Sequence, residues 1–510
     1  MSRLHVFAAI TIGSYETTLT IYQVNGSGDM MLLNKVKEKL LIGKDIIRTG
    51  SISNGMIRKL CKKINKLKKL TLEFGAEEVL VYGGTAIREA ANQSFILEQI
   101  KMTTGYEVNV VTDPQQSFFV YKGVVSNSKY EEISKDGALI LDASPGKLRV
   151  TIVNGGELIL TQNVSLGTLQ VREWVQETGY SQEEQAALIR EMISYRLKEL
   201  EDVFFADLNL KTLVIAGDLF LTQASWKSKK GDMLNADKFI KLCKKAQKHL
   251  TQNMSFTEDA DILLPAVIIC EEFFEKIGAK QAWMSGIEMN DGIACEYAMD
   301  HKYIPTIHDF KKDIESEVIK IMKRYIHSAE HNEYVEAVSN TLFKGLLKGA
   351  NLTERESLLL KIAALLHNVG RYISMEESTR ISAYIVKRSE IVGLSGKERK
   401  MISEIIRCHK MDYHKFVEYI SEEDFNRQEK VIIGKLTILL GIANTLDVAH
   451  CQKFQTVKTQ IRDEEFRITV NTLSDGILEK SFIKRHDEFF EAMYGYKLVL
   501  REKNQRFNTL

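Results

Sequence analysis

The sequence predicts an α/β protein of two lobes, followed by an all-helical domain and a small α/β cap. Three observations lead there. Through about residue 304, short apolar runs alternate with segments of helical period, as in strands joined by helices. From Asp309 to about Val448 the pattern is almost wholly helical. Beyond residue 455 strand-like runs return, FRITV and YKLVLRE, around one helix.

At 510 residues the chain is long enough for roughly three or four domains. Hydrophobic residues make up 44% and charged residues 27%, which fits soluble globular protein rather than disorder. The net charge of +1 provides no global field for DNA, RNA or a membrane, so any anion site must be a local patch. The cysteines (Cys61, Cys243, Cys270, Cys295, Cys408, Cys451) form no CxxC pair. That argues against a structural zinc site or a disulfide framework and for a reducing, cytoplasmic setting. Val6 to Ile10 is too short for a secretory h-region, and no run approaches the ~20 apolar residues of a membrane span. Pro305 lies between a helical segment and the long helical half, and marks a domain boundary.

In chain order, Leu4 to Ile12 reads as a strand ending at Gly13-Ser14, and Thr17 to Val24 as its hairpin partner. Gly55 to Phe74 reads as a helix with Ile57, Leu60, Ile64, Leu67 and Leu70 on one face. Lys59, Lys62, Lys63, Lys66, Lys68 and Lys69 cover its other face, either as a solvated surface or as a basic track for a polyanion. Glu78 to Tyr82 is a strand, and Gly83-Gly84-Thr85 turns into a helix running to about Ile100, with Thr85 as its cap. Arg88 in its first turns suits a phosphate clamp.

Val108 to Thr112 is a strand leading into Asp113-Pro114-Gln115-Gln116. Ala138 to Leu141 is a buried strand ending at Asp142, and Ala143 to Lys147 forms the loop beyond it. Pro145 removes one N–H from that loop, while Lys147 and Arg149 add positive charge. Leu213 to Gly217 is a further strand into a turn, and Asp261 is placed to cap a helix.

The run Gly84 to Asn92, Thr104-Gly105, Tyr121-Lys122-Gly123-Val124, Asp142 and Gly146 resembles the exopolyphosphatase / guanosine pentaphosphate phosphohydrolase family. That family is a branch of the actin-like phosphotransferases. Segments 260–266 and 285–293 carry weaker likenesses in the same order. The resemblance implies two actin-like (ribonuclease H-like) lobes at 1–124 and 125–304. It further implies an HD-like helical domain at 305–454 and the α/β cap of long members at 455–510. It implies removal of a terminal phosphate from inorganic polyphosphate or a guanosine polyphosphate in the cleft between the lobes, and a homodimer as the assembly. Gly13, Ser14, Gly84, Thr85, Arg88, Gly146, Lys147 and Arg149 become candidate phosphate-binding residues, and Asp142 a catalytic one. Mg²⁺ is the implied cofactor if the chain is catalytically active, and otherwise none.

The chain departs from the family at its acids. The aspartate of the first hairpin is Thr11, the paired glutamates are Gln115 and Gln116, and the last glutamate is Arg149. A general base needs a lone pair that takes a proton, and an amide has none at neutral pH. Asp113 is the nearest substitute, ~6–7 Å away along an extended chain. At an effective dielectric of ~20, one unit charge at ~7 Å is worth about 2 kcal/mol, so Lys147 and Arg149 make the loop anion-friendly and metal-poor. Hydrolysis, anion binding without turnover, and a dimeric scaffold with vestigial lobes all stay open.

In the helical half, Leu365 to Gly370 resembles the metal motif of HD-type phosphohydrolases, with His331 upstream. Its acids are Asn368 and, later, Asn444. Amides replace carboxylates poorly as ligands, so His367 is read as a satisfied core histidine and no metal is assigned.

Overall fold

The computed structural model describes residues 4–26, 28–205, 208–218, 228–252, 258–347, 352–472 and 476–502. Two compact units are present, Met1–Ile314 and Glu315–Leu510. Among the described residues no helix is long and apolar enough to cross a membrane.

The first unit contains two sheets. One orders β3 (Met30–Lys39), β2 (Glu16–Val24), β1 (His5–Ile12), β4 (Glu78–Gly83) and β5 (Asn109–Val110) in that sequence. The other orders β10 (Met233–Asn235), β11 (Gln281–Met284), β9 (Thr212–Ala216), β6 (Ala138–Ala143), β7 (Leu148–Asn154) and β8 (Glu157–Val164). In each, an antiparallel three-stranded meander is extended by parallel strands reached through helices, and in the second sheet β10 adds antiparallel to β11 at the edge. The central strands are apolar almost throughout because both faces are covered. Ala8, Ile10, Ile12 and Val81 are buried in one lobe, and Leu139, Leu141, Leu213 and Ile215 in the other.

The repeated topology places equivalent strand ends side by side. Ile12 pairs with Gly83 at the carboxyl ends of β1 and β4, and Asp142 pairs with Ala216 at those of β6 and β9. In open α/β sheets the crevice outside such ends is where ligands bind.

Several helices differ from the sequence reading. The helix after β4 is only Thr85–Glu89; Gly84 is its N-cap, and Thr85 is its first residue rather than its cap. Asn92 then ties the chain to Ile52 through both its amide groups, and a second helix runs Gln93–Thr104. Asp113 and Gln115 stand in helix Asp113–Val125, not in an extended loop. Asp261 falls inside helix Glu258–Lys276 rather than before it, and its side chain lies outside the described residues. Half of the six lysines on the basic face of helix Asn54–Glu73 are engaged: Lys63 and Lys66 both reach Glu38, and Lys68 reaches the Thr104 carbonyl.

Helix Met289–Asp300 packs against helix Asp113–Val125 at very close range. A Cβ at Gly292 would stand 1.7 Å from the Phe119 carbonyl oxygen. Gly292→Ala is therefore expected to destabilise the unit by about 3 kcal/mol or more, at or beyond the usual cost of overpacking. A urea midpoint followed by tryptophan fluorescence checks it.

In the second unit, helices Glu330–Leu346, Glu354–Leu366, Gly396–Cys408 and Arg427–Thr445 pack around Leu342, Ile362, Ile405 and Leu439. A three-stranded sheet follows, in the order β12 (Phe454–Arg462), β13 (Glu465–Thr472) and β14 (Lys497–Glu502). Helices Ile477–Ile483 and Asp487–Tyr494 separate the last two strands. This matches the helical domain and α/β cap expected from the sequence.

Candidate active site

A cavity of about 1040 Å³, its open mouth included, lies where the strand ends of the two lobes face each other. Its wall includes Gly13, Ser14, Gly84, Thr85, Gln116, Asp142, Gly146 and Arg149. Asp113, Gln115, Arg88 and Lys147 do not line it. The three loops meet closely: a Cβ on Gly146 would stand 2.6 Å from Ser14 Oγ and 3.1 Å from Thr85 Cβ. Gly13 and Gly84 donate their own amides to the carbonyls of Glu16 and Ile12, which fixes the loops without a ligand.

The two glutamines have different positions. Gln115 closes a capping box: its Oε1 accepts from the Thr112 amide and hydroxyl at 3.0 Å each, and Thr112 Oγ1 accepts from the Gln115 amide. Gln116, one residue on and so about 100° round the helix, turns its amide toward the cavity. Its Oε1 is buried, lies 3.4 Å from a Cβ placed on Gly84, and has no hydrogen-bond partner among the described residues. The capping pattern Thr112-x-x-Gln115 with Pro114 between them is the sequence signal that separates the two.

Asp113 is held by three cations. Arg88 Nη2 donates to it at 2.6 Å, Lys147 Nζ at 2.7 Å, and Arg149 Nη2 stands 3.5 Å away. Burial pushes its carboxyl up, but Arg149, Arg88 and Lys147 outweigh that and hold it below the ordinary range. Such a carboxylate is a weak proton acceptor at pH 7. Lys147 also touches Glu89 at 3.1 Å, so its charge is shared between two acids.

Asp142 faces Arg149 across the β6–β7 ladder. Arg149 Nη1 donates to Asp142 Oδ2 at 3.1 Å and to Ser144 Oγ at 3.3 Å, and Nη2 donates to Thr85 Oγ1 at 3.0 Å. Ser144 Oγ donates to the other Asp142 oxygen. Mg²⁺ takes its ligands from unencumbered oxygens at ~2.1 Å. Asp142 is already paired with a guanidinium, and the other carboxylates lining the cavity, Glu16, Asp218 and Glu288, are ion-paired to lysine, so these residues do not fit the ion.

On another part of the wall lies a cluster the sequence reading missed. Lys37 Nζ donates to Glu16 at 2.6 Å, Asp218 at 2.6 Å and Glu288 at 2.8 Å; Lys35 reaches Asp218 at 2.9 Å and Glu288 at 3.1 Å. Burial, opposed by Lys37 and reinforced by Asp218, raises the Glu288 carboxyl to about 7. Burial alone would raise Asp218 as well, but Lys37 and Lys35 hold it well below its ordinary range. The two carboxyls are thus pushed in opposite directions by their surroundings. Lysines alternating with other residues along β3 were the available signal, since period two puts Lys35 and Lys37 on one face. Their acidic partners come from three distant segments.

In the second unit the expected His367 cluster is assembled in the core. His331 Nδ1 bonds Asp447 Oδ2 at 2.8 Å, and His367 Nδ1 donates to the Ala364 carbonyl at 2.7 Å. The Nε2 atoms of both rings meet Asn444, at 3.3 and 3.2 Å. Asn368 accepts from Asn332. Among the described residues no three His, Cys, Asp or Glu side chains group to hold a metal ion.

The paired, strand-end-lined cavity defines a two-lobed α/β phosphatase-type chain, and the comparisons with known proteins agree. The Ppx/GppA phosphatase family model matches residues 20–301, and the model of that family's domain III matches residues 315–487. The chain belongs to the Ppx/GppA phosphatase family. It is 19% identical over 454 residues to a guanosine-5'-triphosphate,3'-diphosphate pyrophosphatase of Vibrio atlanticus, covering 85% of this chain and 86% of that one. Identity to the protein of that name in Aliivibrio fischeri is 20% over 471 residues, covering 87% and 88%. The solved exopolyphosphatase of Cytophaga hutchinsonii superposes with a TM-score of 0.51 at 17% identity, covering 58% of this chain and 98% of that one. That likeness supports the two-lobed fold.

Proposed function

We propose that the cavity binds the terminal phosphoanhydride of inorganic polyphosphate or a guanosine polyphosphate and turns it over slowly at best. The observation that carries this is Gln116 Oε1, buried and unpartnered on the cavity wall beside Gly84. An amide oxygen there accepts a hydrogen bond from a water and orients it toward phosphorus, but does not take its proton. The attacking water forms the new P–O bond, the bridging P–O bond breaks, and the proton goes to the phosphate or solvent. The pairing of Asp142 with Arg149 favours the non-catalytic form of this reading, in which the ligand is held without turnover.

Steady-state phosphate release from tripolyphosphate and from guanosine pentaphosphate tests it. The expected rate lies far below the roughly 10 s⁻¹ typical of enzymes. A rate of that order would refute the reading.

A further inference from the structure

We propose that the Arg149 guanidinium stands in for a divalent cation, so that the cavity binds the terminal phosphate of an oligophosphate anion without metal. This rests on the functional reading above. Four observations support it.

Arg149 is 2% exposed, far below the usual exposure of an arginine. Its Nη1 and Nη2 groups are held by Asp142, Ser144 and Thr85, while its Nε is buried and has no partner among the described residues. Arg149 lines the cavity wall, so its charge acts on an anion held there. The guanidinium is planar and matches phosphate oxygens with parallel N–H groups, which a spherical ion does not.

The position is fixed by backbone register. Asp142 and Arg149 are direct partners in the β6–β7 ladder, so the charge is held at one place by the sheet itself. Around it, Ser14 and Thr85 of the first lobe converge on Gly146 of the second, which gives the anion two hydroxyls beside the guanidinium.

Among the described residues lining or adjoining the cavity, the other carboxylates are also ion-paired. Asp113 is held by Arg88 and Lys147. Glu16, Asp218 and Glu288 are held by Lys37, and the last two also by Lys35. A divalent cation entering here would have to compete with a lysine or an arginine at each of these carboxylates.

The test is calorimetric titration of the full chain with sodium tripolyphosphate, once in chelator and once with Mg²⁺. The wild type is expected to bind in chelator, with no gain in affinity from Mg²⁺. Arg149→Glu is expected to bind at least about tenfold more weakly in chelator, ~1.4 kcal/mol, and to recover with Mg²⁺. Asp142→Asn removes the guanidinium's internal counter-ion and is expected to bind about threefold more tightly in chelator. Arg149→Lys keeps the charge but loses the fork, and is expected to bind about tenfold more weakly; it replaces Arg149→Glu if that variant does not fold. Wild-type binding that needs Mg²⁺, or loss of binding in Asp142→Asn, overturns the metal-free inference and leaves the functional reading standing. No binding by the wild type in either buffer overturns both.

Discussion

Gln116→Glu alone is expected to raise phosphate release from tripolyphosphate by about 100-fold, the lower end of what a positioned general base contributes. Gln115→Glu is expected to leave the rate at the wild-type value. Gln115 and Gln116 are neighbours in sequence, but only Gln116 turns into the cavity. Gln115 ties the helix start to Thr112, and a glutamate there keeps the capping box. At position 116 a carboxylate would sit beside Gly84, on the same wall as Asp142 and Arg149, where the amide oxygen now lacks a partner. The effect should appear in kcat, because a base acts on the transition state and not on ground-state binding. Equal rates for Gln116→Glu and wild type would mean that the missing base is not what limits turnover.

Acidification is expected to unfold the second unit well before the first. His367, His409 and His486 are buried, and burial holds each below its ordinary value: His409 at about 3, His486 at about 4 and His367 well below normal. Neighbouring basic groups depress them further: His409, His331 and Lys410 for His367, Lys410, His486 and His331 for His409, and Arg485 for His486. Asp447 bonds His331 rather than these rings. The sign follows from linkage. In the unfolded chain these rings protonate near pH 6.5; in the folded unit His409 stays neutral down to about 3, His486 down to about 4, and His367 is held well below its ordinary value. Their contribution is complete above pH 6.5 and is lost as pH falls through that window. Between pH 7.5 and 5 each fully buried ring removes about 2 kcal/mol, so the three together remove roughly 4–6 kcal/mol.

The test has a built-in control. All tryptophans, Trp174, Trp226 and Trp283, lie in Met1–Ile314, so their fluorescence reports the first unit while far-UV circular dichroism reports both. The urea midpoint by dichroism should fall steeply over that range and the fluorescence midpoint much less. His409→Gln should reduce the pH dependence by about one histidine's share. Parallel shifts of both midpoints would contradict the assignment to these rings.

Much of this architecture is legible in the chain because local chemistry decides it. An apolar run ending in Gly13, Gly84 or Asp142 is a strand delivering a loop, and seven residues of hairpin put Arg149 opposite Asp142. The helix 113–125 was misread at its start because Val108 to Thr112 suggested a longer strand than the two residues that pair. The destination of Lys147 was also not legible. Its reach to Asp113 and Glu89 joins segments 34 and 58 residues apart, which no periodicity reports. The same holds for Glu288, whose ion pairs reach lysines some 250 residues away.

Calorimetric titration of the wild-type chain with tripolyphosphate at low salt decides whether this cavity holds a terminal phosphate although the acids of the family pattern are gone. Saturable one-to-one binding is expected, weakened by competing orthophosphate and reduced in Arg149→Lys. A flat titration, or binding that persists unchanged in Arg149→Lys, would contradict it.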